Sequence, residues 1–300
     1  MASAIELRPC SLTSPQPALV SFQAEPWHGQ AHLTYQKQGI KTVPLVKTQA
    51  PLKVQTPPFY PEGPQTCHTV LLHTAGGMVG GDRLSININL EANASALVTT
   101  AAAAKIYSDH PQQLPAQIQG HAQVGPGACL EWFPQETIVF EGAHYHPHWQ
   151  VDLAPDATWV GWDILRLGRT ARGERFTQGG VRSHLSVFQN QRLLWTDPQQ
   201  IAGSESLWSS PQALDECPVI GTFAWVGQQP EAAEIETIRE LGSTLIQRGV
   251  WGATRLQQGL LCRYRGHSSS EAKRWFEAAW SQIRPHYLGR CAVAPRVWQR

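Results

Sequence analysis

Hydrophobic and polar positions alternate without a break over RLSININL, where Leu84, Ile86, Ile88 and Leu90 interleave with Arg83, Ser85, Asn87 and Asn89. A period of two sends neighbouring side chains to opposite faces, so this segment predicts a strand with one packed face. Further strand patterns follow at short intervals. AHLTYQKQGIKTVPLV reads as a hairpin turning near Gly39, and HLSVFQNQRLLWTD as another turning near Asn190. Between them lie ALVTTAAAAKIY, PAQIQGHAQV, CLEWFP, ETIVFEGA, HWQVDLA and TWVGWDILRLG. Proline or glycine punctuates nearly every junction, and no fixed repeat period emerges. A β-rich body is expected over about residues 20–228.

The period changes near residue 230. In PEAAEIETIRELGSTLIQRG, Ile235, Ile238, Leu241 and Leu245 recur at helical spacing, Pro230 and Glu231 suit a first turn, and Gly249 suits a C-terminal cap. A helix is therefore expected over 231–248. A second is expected over 269–284: Ser268 and Glu271 have capping-box spacing, and Pro285 stops the run. Its stripe of Ala272, Trp275, Phe276, Ala279, Trp280 and Ile283 is either core or a partner surface. Trp275, Phe276 and Trp280 are the candidate interface residues.

Composition agrees with many short elements. The chain has 22 prolines, 25 glycines and 12 tryptophans among 300 residues, and only 16% of residues are charged. With 24 basic and 23 acidic residues, no bulk charge attracts nucleic acid or an anionic membrane. Glu6 and Arg8 sit where a signal peptide would be continuously apolar, and no run approaches the ~20 apolar residues of a membrane span. A soluble, cytoplasmic protein folding as one domain over 1–300 is expected. The six cysteines, Cys10, Cys67, Cys129, Cys217, Cys262 and Cys291, form no C-x-x-C pair and read as reduced, mostly buried thiols.

Three features carry candidate chemistry. HTAGGMVGGDRL has four glycines, but no lysine follows them, no register gives G-x-G-x-x-G, and a strand stands where a helix should begin. A phosphate cradle is disfavoured; the glycines read as a tight bend that delivers Asp82 and Arg83 into a strand. HYHPH places His144, His146 and His148 at alternate positions, either a weak transition-metal site or an exposed histidine-rich edge interrupted by Pro147. Finally, Asp82, Glu131, Glu136, Glu141, Asp163 and Glu174 fall in or beside apolar segments, where acids are ion-paired or line a wet cavity. Paired carboxylates leave a carbohydrate-active enzyme on a β scaffold as an alternative.

Several of these segments together resemble the urease accessory protein D (UreD, or UreH) family. They are PLKVQTPPFYPEG, LLHTAGGMVGGDRL, LVTTAAAAKIYSD, LEWFPQETIVFEGA, GWDILRLGRTARGERFTQG and AAWSQIRPHYLGRCAVAPRVW, from about residue 50 to the C-terminus. Ala75 and Ala101 stand where the family often has proline, and Ser108 where it has arginine. The resemblance implies a mainly β, β-helical or solenoid-like stack of short strands with two helices near the C-terminus. It also implies a non-enzymatic maturation factor that assembles with UreF and the GTPase UreG on apo-urease and supports GTP-dependent nickel insertion. No tightly bound cofactor is implied, only transient Ni2+. If nickel crosses the protein by an interior passage, Asp82, Glu136, Glu141, Asp163 and Glu174 are candidates to line it.

Overall fold

A computed structural model describes residues 26–108 and 114–298. The N-terminal segment with Glu6, Arg8 and Cys10 lies outside the described residues. The chain begins with the hairpin β1 (His28–Gln38) and β2 (Lys41–Gln49), then β3 (Leu52–Val54) and β4 (Thr66–His73). The alternating segment is β5 (Arg83–Leu90), followed by β6 (Ser95–Thr100), β7 (Ala104–Ile106), β8 (Ala116–Val124) and β9 (Cys129–Phe133). Next come β10 (Thr137–Val139), β11 (His144–Leu153), β12 (Thr158–Leu167), β13 (Gly180–Gln189) and β14 (Arg192–Ala202). After the short α1 (Glu205–Ser209) come β15 (Val219–Val226), α2 (Ala232–Leu245), β16 (Gly249–Leu256), β17 (Gly259–Gly266) and α3 (Ser269–Leu288).

The strands form two sheets. One has seven strands in the order β14-β13-β11-β8-β5-β1-β2; the other has ten and runs β16-β17-β15-β12-β9-β6-β4-β3, with β10 and β7 attached beside β12. From β4 to β13 the main strands alternate between the sheets and pair in parallel with neighbours from adjacent turns of the chain. Both sheets are open and end in antiparallel strands, so the mainly β body is neither closed nor the solenoid the resemblance implied. The apolar face of β5 is buried between them, with Leu84, Ile86, Ile88 and Leu90 at 5% exposure or less. The hairpin bends fall where expected: Gly39 at φ +59°, and Asn190 and Gln191 at φ +50° and +62°.

Three α-helices are present among the described residues, and their limits differ from the sequence pattern. The capping box of Glu231 and Glu234 starts α2, but the helix ends at Leu245 because Ile246 turns extended and buries its side chain. Gly249 opens β16 instead of capping a helix, so β16 and β17 carry the β body well beyond residue 228. In α3 the Ser268 hydroxyl accepts from the Glu271 N–H at 3.2 Å, as its spacing predicted. Pro285 does not stop this helix. The carbonyl it leaves without a donor belongs to exposed Ser281, and Gly289, at φ +66°, caps the helix after Leu288.

The stripe offered as a partner surface lies in the core. Trp275, Phe276 and Trp280 are 0%, 0% and 1% exposed, packed under the ten-stranded sheet with Phe133, Trp162 and Phe223. Beneath them Arg284, fully buried, donates to Glu131 at 2.9 Å and to Glu62 at 2.7 Å. The Trp280 indole N–H also donates to Glu131, at 2.6 Å, as does the Tyr287 hydroxyl. Cys67, Cys129, Cys217 and Cys262 are buried and unbridged, and Cys291 is exposed. No helix among the described residues is long and apolar enough to cross a membrane.

Candidate functional site

Between the two sheets lies a cavity of about 610 Å³. Two aromatic pairs prop the sheets apart. Trp132 of β9 meets Trp149 of β11 at a ring separation of 4.6 Å, and Trp159 of β12 meets Trp195 of β14 at 6.3 Å. Bulky indoles facing one another leave space between the smaller side chains beside them, which is how so apolar an interior keeps a void.

Polar groups cluster on one rung of this cavity. Asp163 on β12, Thr222 on β15 and Arg263 on β17 are in register across the ten-stranded sheet. Asp197 reaches over from β14 and accepts from both terminal nitrogens of Arg263, one of them at 2.9 Å, and from Gln199 Nε2 at 2.8 Å. Asp197 is therefore ion-paired, whereas no ion pair to Asp163 forms among the described residues. Burial, reinforced by the nearby Asp197 charge, pushes the Asp163 carboxyl up to about 6, against the opposing pull of the Ile164 N–H.

The glycine-rich bend forms another part of the wall, with His73, Thr74, Gly76, Gly77 and Met78 in the lining. Gly77 is required by close approach: a Cβ there would lie 2.3 Å from the Tyr107 ring and 2.8 Å from the Lys105 carbonyl oxygen. Met78 fixes the bend to β7, donating to the Lys105 carbonyl and accepting from the Tyr107 N–H, both at 2.8 Å. Burial lowers the His73 imidazole below its usual range, partly opposed by the Asp82 charge.

Asp82 itself closes the bend. Its oxygens accept the Trp27 N–H at 3.0 Å and the Val79 N–H at 2.9 Å, and the side chain is 5% exposed. Asp82→Ala would leave both amides unpaired and is expected to cost about 1–2 kcal/mol, below the full penalty because Trp27 and Val79 reach solvent. Urea unfolding checks this; a loss under ~0.5 kcal/mol would show that the carboxylate does not hold the bend.

Of the five acids proposed for a passage, Asp163 lines the cavity; Asp82, Glu136, Glu141 and Glu174 are not in its wall. Glu141 accepts from the Thr177 N–H at 2.8 Å and hydroxyl at 2.7 Å. Glu174 accepts from the Glu141 N–H at 2.9 Å and the Arg169 N–H at 3.0 Å, and also binds the Arg169 side chain. Burial would raise its pKa, but the hydrogen bonds from Arg169 and Glu141 outweigh that and lower it. Glu141 and Glu174 thus moor a connecting segment; Glu174 does so through an ion pair to Arg169, the role weighed from sequence, and Glu141 through hydrogen bonds to Thr177 alone. Glu136 is half-buried, and its backbone carbonyl accepts from Ala104.

His144, His146 and His148 share one face of β11, opposite Tyr145, Pro147 and Trp149, which line the cavity. Among the described residues no three metal-ligating side chains converge. The neighbour that His148 does meet is His184 on β13, with ring centroids 5.2 Å apart. Asp197, Thr222, Arg263 and His184 join the site through strand pairing between distant segments, and no local spacing in the sequence marks them.

Residues 28–299 match the family model described as "UreD urease accessory protein". A protein named urease accessory protein UreD from Nostoc punctiforme is 51% identical over 92% of this chain and 97% of its own length. One from Picosynechococcus is 46% identical over 93% of this chain and 97% of its own. One from Janthinobacterium is 41% identical over 83% of each.

Proposed function

This chain belongs to the UreD urease accessory protein family, and from that premise we propose that it is a urease maturation factor: a scaffold and metallochaperone subunit, assembling with UreF and UreG on apo-urease, through which GTP-dependent nickel insertion is supported. Nickel is cargo here, not a resident cofactor. The observation that carries this reading is the family match, which runs almost from end to end of the described chain. The inter-sheet cavity is in keeping with it, because a cation in transit needs a hollow interior with few strong ligands, and among the described residues Asp163 is the acid left without a counter-ion there. The hydrolytic alternative is less well supported. The carboxylate pair in the cavity wall is Asp163 and Asp197, and Arg263 engages both oxygens of Asp197.

Deleting the gene and purifying urease from the deletion strain tests the proposal. Urease protein is expected at normal abundance with its nickel, measured by plasma mass spectrometry, reduced at least tenfold, and this chain supplied in trans should restore it. Fully nickel-loaded urease from the deletion strain would overturn the proposal. Affinity capture of this chain should bring down UreF, UreG and apo-urease.

A further inference from the structure

No acid occurs from Pro26 to Pro61, while four of the chain's six lysines, Lys37, Lys41, Lys47 and Lys53, fall inside that span. A chain balanced in charge overall thus has a basic corner, made by β1, β2 and β3. Lys37 donates to the Ile40 carbonyl at 3.1 Å and Lys41 lies 4.6 Å over the Tyr60 ring, and among the described residues none of the four is ion-paired. Burial and the Arg290 charge lower the pKa of Lys37, so a further cation stands at the same corner. Two acids that reach it are already committed. Arg284 and His68 hold Glu62 at 2.7 and 2.8 Å, with Arg290 3.7 Å off, and Glu91 accepts from the Gln36 amide at 2.8 Å.

β2 is the last strand of the seven-stranded sheet, with β1 on one side and no strand on the other. The Thr42 N–H points off that free side and donates to the Pro64 carbonyl at 2.9 Å, and the Thr42 carbonyl accepts from the Tyr60 hydroxyl at 2.9 Å. Tyr60 and Pro64 therefore cover the start of the strand. Backbone direction alternates along an antiparallel strand, so Pro44, Val46 and Thr48 face the same way as Thr42. Pro44 has no N–H to offer. Val46 and Thr48 each present an N–H and a carbonyl there, and among the described residues no loop backbone bonds to them. Beside them Leu45 and Val46 are 52% and 37% exposed, and the same alternation puts Lys41, Leu45 and Lys47 on one face.

A free edge accepts another extended chain through main-chain hydrogen bonds, and the flanking side chains choose which chain. A second copy of this edge would bring lysine against lysine and meet Pro44 where a donor is needed, so the edge rejects its own kind. Its complement carries carboxylates for the lysines and an apolar side chain to cover Leu45 or Val46. We propose that the free part of β2, residues 44–49, is a docking edge that takes an extended acidic segment of a partner protein as an eighth strand. This goes beyond the maturation reading and does not depend on it.

The test uses the full chain with the photo-reactive residue benzoylphenylalanine in place of Leu45, irradiated in living cells, and the cross-linked peptide is sequenced by mass spectrometry. One proline-free segment with carboxylates at alternate positions is expected. Lys47→Glu should lower the cross-link yield at least tenfold, and Lys47→Arg should retain it. Thr48→Pro should lower it several-fold and Thr48→Ala should not, with the thermal midpoint unchanged in each variant, because that N–H points off the sheet and proline there removes a docking bond but no ladder bond. A cross-link to a second copy of this chain, to a neutral or basic segment, or to no protein overturns the docking edge, as does a yield indifferent to Lys47→Glu or to Thr48→Pro. Lysine-dependent sedimentation with phosphatidylglycerol vesicles in place of a protein cross-link overturns it in favour of a membrane surface. The composition of the segment decides, whichever protein carries it, so nickel-loaded urease from the deletion strain would count against the maturation reading alone.

Discussion

Arg284→Met is expected to destabilise the protein by about 3–5 kcal/mol, enough to exhaust much of the stability of an ordinary domain. Arg284 is fully buried and is shared by two carboxylates, Glu131 at 2.9 Å and Glu62 at 2.7 Å, that lie far apart in sequence. Methionine fills similar volume, so the loss reports charge rather than packing. Glu131, itself fully buried, would keep the Trp280 and Tyr287 donors but lose the guanidinium, and a buried carboxylate is costly without a cation. Glu131→Gln in the same chain should recover part of the loss, which a double-mutant cycle would measure. Burial alone would raise the pKa of Glu62, yet hydrogen bonds from His68 and Arg284 hold it at about 2. Its contribution is present above the unfolded value near 4.5 and is lost as pH falls through about 2, so Arg284→Met should also soften acid resistance in that window. A loss under ~1 kcal/mol in chemical denaturation would mean that the network adds little to the fold.

The elements legible in the sequence were those whose pattern is local. β5 shows alternation because one face packs inward and the other does not, and the hairpins at Gly39 and Asn190 carry residues that tolerate positive φ. β15, VIGTFAWV, escaped that reading: it is buried on both faces between the cavity side and α3, and a continuous apolar run has no period. The same duality hid the meaning of the α3 stripe. Helical spacing identifies an apolar face, but only the sheet lying over Trp275 and Trp280 decides between core and interface. Acids were recognisable as unusual by their apolar flanks, yet their roles depended on distant donors. Asp82 meets the Trp27 amide 55 residues away, and Asp197 meets Arg263 66 residues away. Pro147 looked like a defect in a histidine strand; in three dimensions it interrupts the β11–β13 ladder at two residues and leaves the register on either side unchanged.

Asp163→Asn is expected to make the protein more stable at neutral pH, the opposite of what removing a buried charge partner does elsewhere in this chain. The carboxyl shares the cavity wall with Asp197, Thr222 and Tyr145, and Arg263, on the same rung, is bound to Asp197. Burial and the Asp197 charge raise Asp163 from 3.8 to about 6 in the folded chain. A raised acid holds its proton more tightly when folded, so stability is highest below about 4, declines between about 4 and 6, and carries the full penalty above 6. A shift of that size corresponds to about 3 kcal/mol at pH 8, an amount asparagine would return because it has no charge to desolvate. Thermal or urea denaturation of both proteins from pH 4.5 to 8 checks this: the curves should converge at the acid end and separate as pH rises, and parallel curves would show that Asp163 is not strained. An acid retained at such a cost is serving something other than folding. The stabler Asp163→Asn chain should therefore still be captured with UreF and UreG, yet leave urease several-fold poorer in nickel; undiminished nickel would remove Asp163 from the path.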